Sequence, residues 1–251
     1  ATAAELNIMD GVTSTATELN LLDGVTSLAS SVNGLSDGLV ENNSIWVGND
    51  PSSSTDEASY NVAVGTTALI NITTGDKNSA LGYKALNANT TGEENTAIGR
   101  EALMRNTSGK FNIAVGSGAL LNSTTAERNI AVGYGAMYNN TTGGSNVALG
   151  NDALTANTTG SENTSTGRDG LRSNTTGSYN TATGRYSLYS NTTGGDNIGT
   201  GYQSLKAITT GGSNVAVGSL AGDALTTGAD NVAIGYTALS TANTALSNTA
   251  I

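Results

Sequence analysis

The chain has 251 residues, with no Cys, no His and one Trp, against 33 Gly and only 4% aromatic residues. Twenty acidic and ten basic residues give a net charge of −10, which disfavours nucleic acid and anionic membrane surfaces as partners. The composition also excludes a disulfide framework, thiol chemistry and zinc sites built on Cys or His. No run of about 18 apolar residues is present to span a bilayer. So few bulky side chains cannot fill an ordinary globular core, but small residues stacked in register can make an ordered solenoid.

Residues 1–43 follow a 13-residue period. Thr2-Ala3-Ala4-Glu5-Leu6-Asn7 returns as Thr15-Ala16-Thr17-Glu18-Leu19-Asn20, and Leu6, Leu19 and Val32 are in phase with one another. Thr2 with Glu5 and Thr15 with Glu18 fit capping boxes, and Gly11 and Gly24 suit helix ends. Each unit is predicted to be two helical turns followed by an extended Val-Thr link. Helices this short need lateral partners to persist, which predicts a trimeric fibre segment.

Residues 44–60 form an atypical first coil. Ser44-Ile45-Trp46-Val47-Gly48 matches the strand pattern of the later repeats, with Trp where they carry Ala and with Pro51 in the turn that follows. Terminal solenoid repeats must seal an open end, so Trp46 is predicted as the solenoid cap. The competing reading is an aromatic platform for a sugar.

From residue 61 to 251 Asn recurs every 17 residues, at 61, 78, 95, 112, 129, 146, 163, 180, 197, 214, 231 and 248. The unit reads N-x-A-x-G-x-x-A-L-x-x-N-T-T-G-x-x. Its fifth position is Gly in all eleven complete units, and its ninth is Leu or Met in ten, Gly222 being the exception. Seventeen residues are too few for a helix-turn-helix unit, but they fit one coil of a parallel β-solenoid with two short strands and two turns. Val62 and Val64 flank Ala63 at strand spacing, while Asn89-Thr90-Thr91-Gly92 is turn chemistry. The predicted fold is therefore an all-β repeat, a β-roll of 17-residue coils that continues beyond the chain end at Ile251.

Alternation places the third-position Ala and ninth-position Leu inside the coil. The second and fourth positions point outward, yet they are often apolar, as in Val62/Val64, Ile113/Val115 and Val232/Ile234. An external apolar stripe needs a cover, and three copies around one axis supply a closed one, so a homotrimer is predicted. Thr166, Thr183 and Thr200 interrupt the stripe in three consecutive coils and would form polar rings at the trimer axis.

Stacking makes residues 17 apart neighbours. Lys84 is expected beside Glu101, and Asp76, Glu93, Lys110 and Glu127 in one mixed column. Arg168, Arg185 and Tyr202 form another column, and Arg172, Tyr189 and Lys206 a third, with Tyr179 and Tyr186 nearby. These cations and aromatic faces on an acidic rod are a candidate receptor or glycan patch; the competing reading is a solvated cation–π surface. Asn89, Asn140, Asn157 and Asn174 lie in glycosylation sequons, which the repeated N-T-T-G turn explains without glycosylation.

No catalytic, cofactor or metal site is predicted. His and Cys, on which nucleophilic and general-base catalysis usually leans, are absent, no phosphate-binding loop pattern links a strand to a helix, and the acidic residues are too scattered for calcium.

The N-x-A-[VIL]-G-x-x-A-L pattern resembles the head repeats of trimeric autotransporter adhesins, although those repeats are shorter. The T-A-x-E-L-N-x-[LM]-D-G-V-T units at 2–13 and 15–26, then S-I-W-V-G-N-D-P at 44–51 and the N-T-T-G array, resemble tail-fibre proteins of marine bacteriophages. The resemblance implies the shaft of a trimeric virion fibre that serves host attachment. Its partners would be further copies of the chain, other fibre or virion proteins, and a host surface glycan or protein. A bacterial surface adhesin is the first alternative. An ice-binding solenoid is the second, since Thr164, Thr166, Thr181 and Thr183 present Thr in register.

Overall fold

The computed structural model describes residues 38–41, 43–48, 57–241 and 243–251. The 13-residue repeats at 1–37 and the turn at Pro51 lie outside the described residues. Two strands open the described chain, β1 (Gly38–Glu41) and β2 (Ser44–Val47), and they pair antiparallel. The hairpin therefore begins inside the stretch that the 13-residue reading carries to residue 43. It covers the first edge of the parallel array with a paired strand, which removes an exposed row of N–H and C=O groups there.

Twelve further strands follow, one per coil: β3 (Val62–Val64), β4 (Ser79–Leu81), β5 (Thr96–Ile98), β6 (Ile113–Val115), β7 (Ile130–Val132), β8 (Val147–Leu149), β9 (Thr164–Thr166), β10 (Thr181–Thr183), β11 (Ile198–Thr200), β12 (Val215–Val217), β13 (Val232–Ile234) and β14 (Thr249–Ala250). All fourteen form one sheet in sequence order, parallel from β2 onward. The register advances by 17 residues at every step, as in Val62↔Ser79↔Thr96. With strands about 4.8 Å apart, the array is a rod roughly 60 Å long. The described residues contain no helix.

The expectation of two strands per coil is corrected to one. The seventh and ninth positions both adopt left-handed backbone, for example Lys84 (φ 57) and Leu86 (φ 49), so no second extended run can form. Backbone bonds still join successive coils along that side, such as Leu86 N–H to the Ala102 carbonyl at 3.0 Å and Thr90 N–H to Thr107 at 2.9 Å. A left-handed Leu costs about 1–2 kcal/mol, and its complete burial in the core offsets that cost. Gly222 escapes the strain at the ninth position (φ 61), and Leu225 from the same coil fills the space instead, close to where a Cβ would stand.

The fifth-position Gly is required twice over. Gly150 has φ +144, and a Cβ there would stand 2.6 Å from the Gly167 carbonyl oxygen of the next coil. Inside the rod, third-position and eighth-position Ala and ninth-position Leu form one continuous buried cluster from Trp46 to Ala233.

A polar spine accompanies this apolar core. From Asn61 to Asn231 the first-position Asn is buried, and its Oδ1 accepts bonds from both the backbone N–H and the Nδ2 of the Asn one coil on. Between Asn163 and Asn180 these two bonds measure 3.0 and 3.1 Å. The same Nδ2 donates to the fifteenth-position carbonyl of its own coil, Asn180 to Gly194 at 2.9 Å, and so ties the coil closed. Asn satisfies this geometry because its amide is donor and acceptor at once. A second, interrupted ladder runs up the twelfth position through Asn89 and Asn106, then through Asn140, Asn157, Asn174 and Asn191.

Candidate functional site

Positions six, seven and ten of the repeat lie around one corner of the coil. Its turn is held by bonds from the eighth N–H to the fifth carbonyl and from the twelfth N–H to the ninth, as in Ala85 to Gly82 and Asn89 to Leu86. Side chains at this corner stack along the rod, and in the coils that begin at Asn163, Asn180 and Asn197 they are cationic and aromatic.

Asp169 organises the cluster. It is only 3% exposed, yet its carboxylate meets Arg168 Nε at 3.1 Å and Arg172 Nε at 3.6 Å. The Arg172 Nη1 also donates to the Tyr189 hydroxyl at 3.3 Å. That hydrogen bond, then the Tyr189, Asp169 and Asp152 charges, raise the Arg172 guanidinium above its ordinary pKa against an opposing desolvation. Arg185 donates to the Tyr186 hydroxyl at 2.8 Å and lies 4.5 Å from the Tyr186 ring centre. Tyr186 packs edge-on against Tyr189 at 5.5 Å and against Tyr202 at 6.4 Å.

These contacts link Arg168, Arg172, Arg185, Tyr186, Tyr189 and Tyr202 in one network through Asp169. Tyr179 is not part of the group: it occupies the seventeenth position, 57% exposed, at a different corner. Asp169 escaped the sequence reading because it was grouped with scattered acids. Its place at position seven, between the two Arg positions six and ten, was the available signal.

Other predicted residues fall as follows. Trp46 is 1% exposed, joins the core cluster and stands in register with Ala63, so it offers no ring face to a sugar. Thr166, Thr183 and Thr200 align in register along β9, β10 and β11. They lie on the opposite face of the sheet from the buried third position. Asn89, Asn140, Asn157 and Asn174 are fully buried with their amides bonded, which leaves no room for a glycan on the folded coil.

The expected Lys84–Glu101 pair is not made: Lys84 lies over the Tyr83 ring and Glu101 pairs with Arg100. Lys110 does meet Glu93, at 3.0 Å. Among the described residues no three His, Cys, Asp or Glu side chains gather as metal ligands.

No family model, no curated protein and no solved structure matches this chain. What the chain does must be argued from the rod itself. Its corner exposes guanidinium donors and tyrosine rings, chemistry suited to hydroxylated or anionic ligands. Its sheet exposes an apolar stripe.

Proposed function

We propose that the chain is a structural shaft of a homotrimeric fibre, carried on a virion and serving host attachment, without catalysis. The observation that carries this reading is the outer face of the parallel sheet. Val62, Leu81, Ile98, Ile113, Val132, Leu149, Ile198, Val217 and Ile234 stand on it at 38–50% exposure, one in each coil except the two that begin at Asn163 and Asn180, where Thr takes both outward positions. Parallel sheets are ordinarily covered on both faces, and an apolar stripe of this length marks a contact surface.

The stripe recurs at the 17-residue register and is interrupted at the same coils in every copy, so the partner that matches it best is the same rod in the same register. Cyclic packing of parallel copies closes such an interface around an axis. The resemblance to tail fibres and to trimeric adhesin heads supports three chains. The rod geometry supports a shaft, since a rod lengthens by adding coils and separates what is attached at its two ends.

Light scattering tests the reading. The expected mass is three times the 25.0 kDa chain mass. Ile113→Asp combined with Ile130→Asp should dissociate or unfold the rod, since each apolar side chain is worth roughly 1.5–3 kcal/mol when buried. A folded, soluble monomer of the unaltered chain overturns the proposal.

A further inference from the structure

One stretch of the corner face differs from the rest. Position seven carries a side chain in every coil except two adjacent ones, where Gly118 and Gly135 stand at φ +68 and +61. The two missing side chains open a cleft of about 240 Å³ between the coils that begin at Asn95 and Asn146.

Its contents are specific. The Tyr138 ring lies over Gly118, with two ring carbons 3.3 Å from where a Cβ would be. The Asp152 carboxylate lies over Gly135, 2.7 Å from the corresponding point. Tyr134 borders the opening, 63% exposed, and the buried Leu121 belongs to the lining. Arg100 and Glu101, paired at 3.4 Å, line the side that belongs to the preceding coil, and Thr155 lies on the Asp152 side. Two tyrosine rings, two carboxylates, a guanidinium and a hydroxyl therefore converge on a space smaller than a drug-sized pocket.

We infer that this cleft binds one ring of a neutral saccharide. Glu101 and Asp152 oppose an anionic ligand, and Arg100, paired with Glu101 at the cleft, opposes a cationic one. A neutral ring with several hydroxyls satisfies both signs, since carboxylates accept its O–H groups and the guanidinium donates to its oxygens. The C–H face of such a ring packs on tyrosine, whose apolar body and polar tip suit a half-wet site. The cleft is built within one chain, so its test is independent of how many chains form the fibre.

Saturation-transfer NMR on the full chain is the experiment, with the methyl glycosides of glucose, galactose, mannose and N-acetylglucosamine as probes and tetramethylammonium chloride as the cationic comparison. At least one glycoside should show transfer. Gly118→Thr fills the cleft in a way the repeat already accepts, because Thr67 and Thr237 hold position seven at φ 57 and 55. That variant and Tyr134→Ala should each weaken binding at least tenfold, while Tyr236→Ala, six coils away on the same corner, should leave it unchanged. If Gly118→Thr does not fold, Tyr134→Ala decides. Absence of transfer from all four glycosides, transfer that survives either cleft substitution, or response to tetramethylammonium alone overturns the inference.

Discussion

The coils from Asn78 to Glu162 and those from Asn163 to Ser213 share one backbone and differ in almost every side chain that can differ. In the first group the third and eighth positions are Ala throughout, and the sheet face is mostly Val, Ile and Leu. In the second group the interior pairs become Ser165 with Gly170, Ala182 with Ser187, and Gly199 with Ser204, and the fourth position is Thr in all three coils. The corner is densest in cations and aromatic rings over the same coils. Register nonetheless continues unbroken from β8 through β12.

Volume is exchanged within a coil and between neighbouring coils to keep that backbone. Restoring a Cβ at Gly170 would bring it 2.5 Å from Ser165 Oγ, and at Gly199 it would come 2.6 Å from Ser187 Oγ. Two of the three extra hydroxyls are absorbed locally, since Ser187 bonds the Gly199 carbonyl at 2.9 Å and shares a 2.8 Å bond with Ser204, while the buried Ser165 Oγ has no hydrogen-bond partner. What holds the coil is therefore the asparagine spine and the glycines. The faces are free to be rewritten.

The strongest way to break this comparison is to cut the spine in both groups. Asn180→Ala removes the bonds to Asn163 and Gly194 and leaves the Asn197 N–H and Nδ2 without their acceptor. Asn129→Ala removes the equivalent set around Asn112, Gly143 and Asn146. With about 1 kcal/mol per net bond and 1–3 kcal/mol for each stranded buried group, both variants should lose on the order of 4 kcal/mol. Urea melts should give the two losses within about 1 kcal/mol of each other. A large loss in only one group would show that the two do not share a common scaffold.

This spine marks where sequence reasoning stopped. The 17-residue period, the parallel register, the inward Ala and Leu and the outward stripe all follow from alternation and phase, and Gly150 and its equivalents announce a bend no Cβ tolerates. The inward Asn could not be read by hydrophobic periodicity, because a polar residue scores as surface unless its partners are known. Asn89 does bond the Gly92 carbonyl of its own turn at 2.9 Å, but its burial in a ladder with Asn106 is not legible from turn chemistry. The missing second strand depended on left-handed Leu and Lys, conformations that residue type does not advertise. At the candidate patch the columns were legible from spacing, whereas Asp169 and the cleft over Gly118 and Gly135 needed the corner's actual curvature.

A smaller effect sharpens the idea of volume exchange. The twelfth-position ladder breaks at Ser123, where Asn106 Oδ1 and Ser123 Oγ have no hydrogen-bond partner. The same coil has Ala126 where its neighbours have Gly, and a Cβ at Gly109 or Gly92 would collide with the Asn Oδ1 of its own coil. Ser at twelve and Ala at fifteen are thus one exchange. Ser123→Asn alone should clash and lose about 1–3 kcal/mol. Combined with Ala126→Gly it should join the two ladders and exceed the unaltered chain by about 1 kcal/mol, a favourable coupling that a double-mutant cycle of denaturation midpoints measures. Additive costs would refute the exchange.

The smallest expected effect concerns the sheet face itself. Replacing Thr166, Thr183 and Thr200 with Val gives the second group the fourth position that Val115 and Val132 supply in the first. Thr and Val are nearly the same shape and both suit strands, so on a face open to water the triple change should alter stability by only a few tenths of a kcal/mol per site. In the proposed trimer the three hydroxyls of each ring are enclosed, and each must find a partner across the axis or lose about 1–3 kcal/mol. Methyl groups have no such requirement. The triple variant should then melt about 2–6 °C higher. It should also lose a register mark, as coiled coils do when a buried Asn is replaced. Electron microscopy should accordingly show rods of uneven length, formed by chains slipped by one or more coils against each other. An unchanged melting temperature with uniform rods would place these hydroxyls in water and remove the polar rings from the axis.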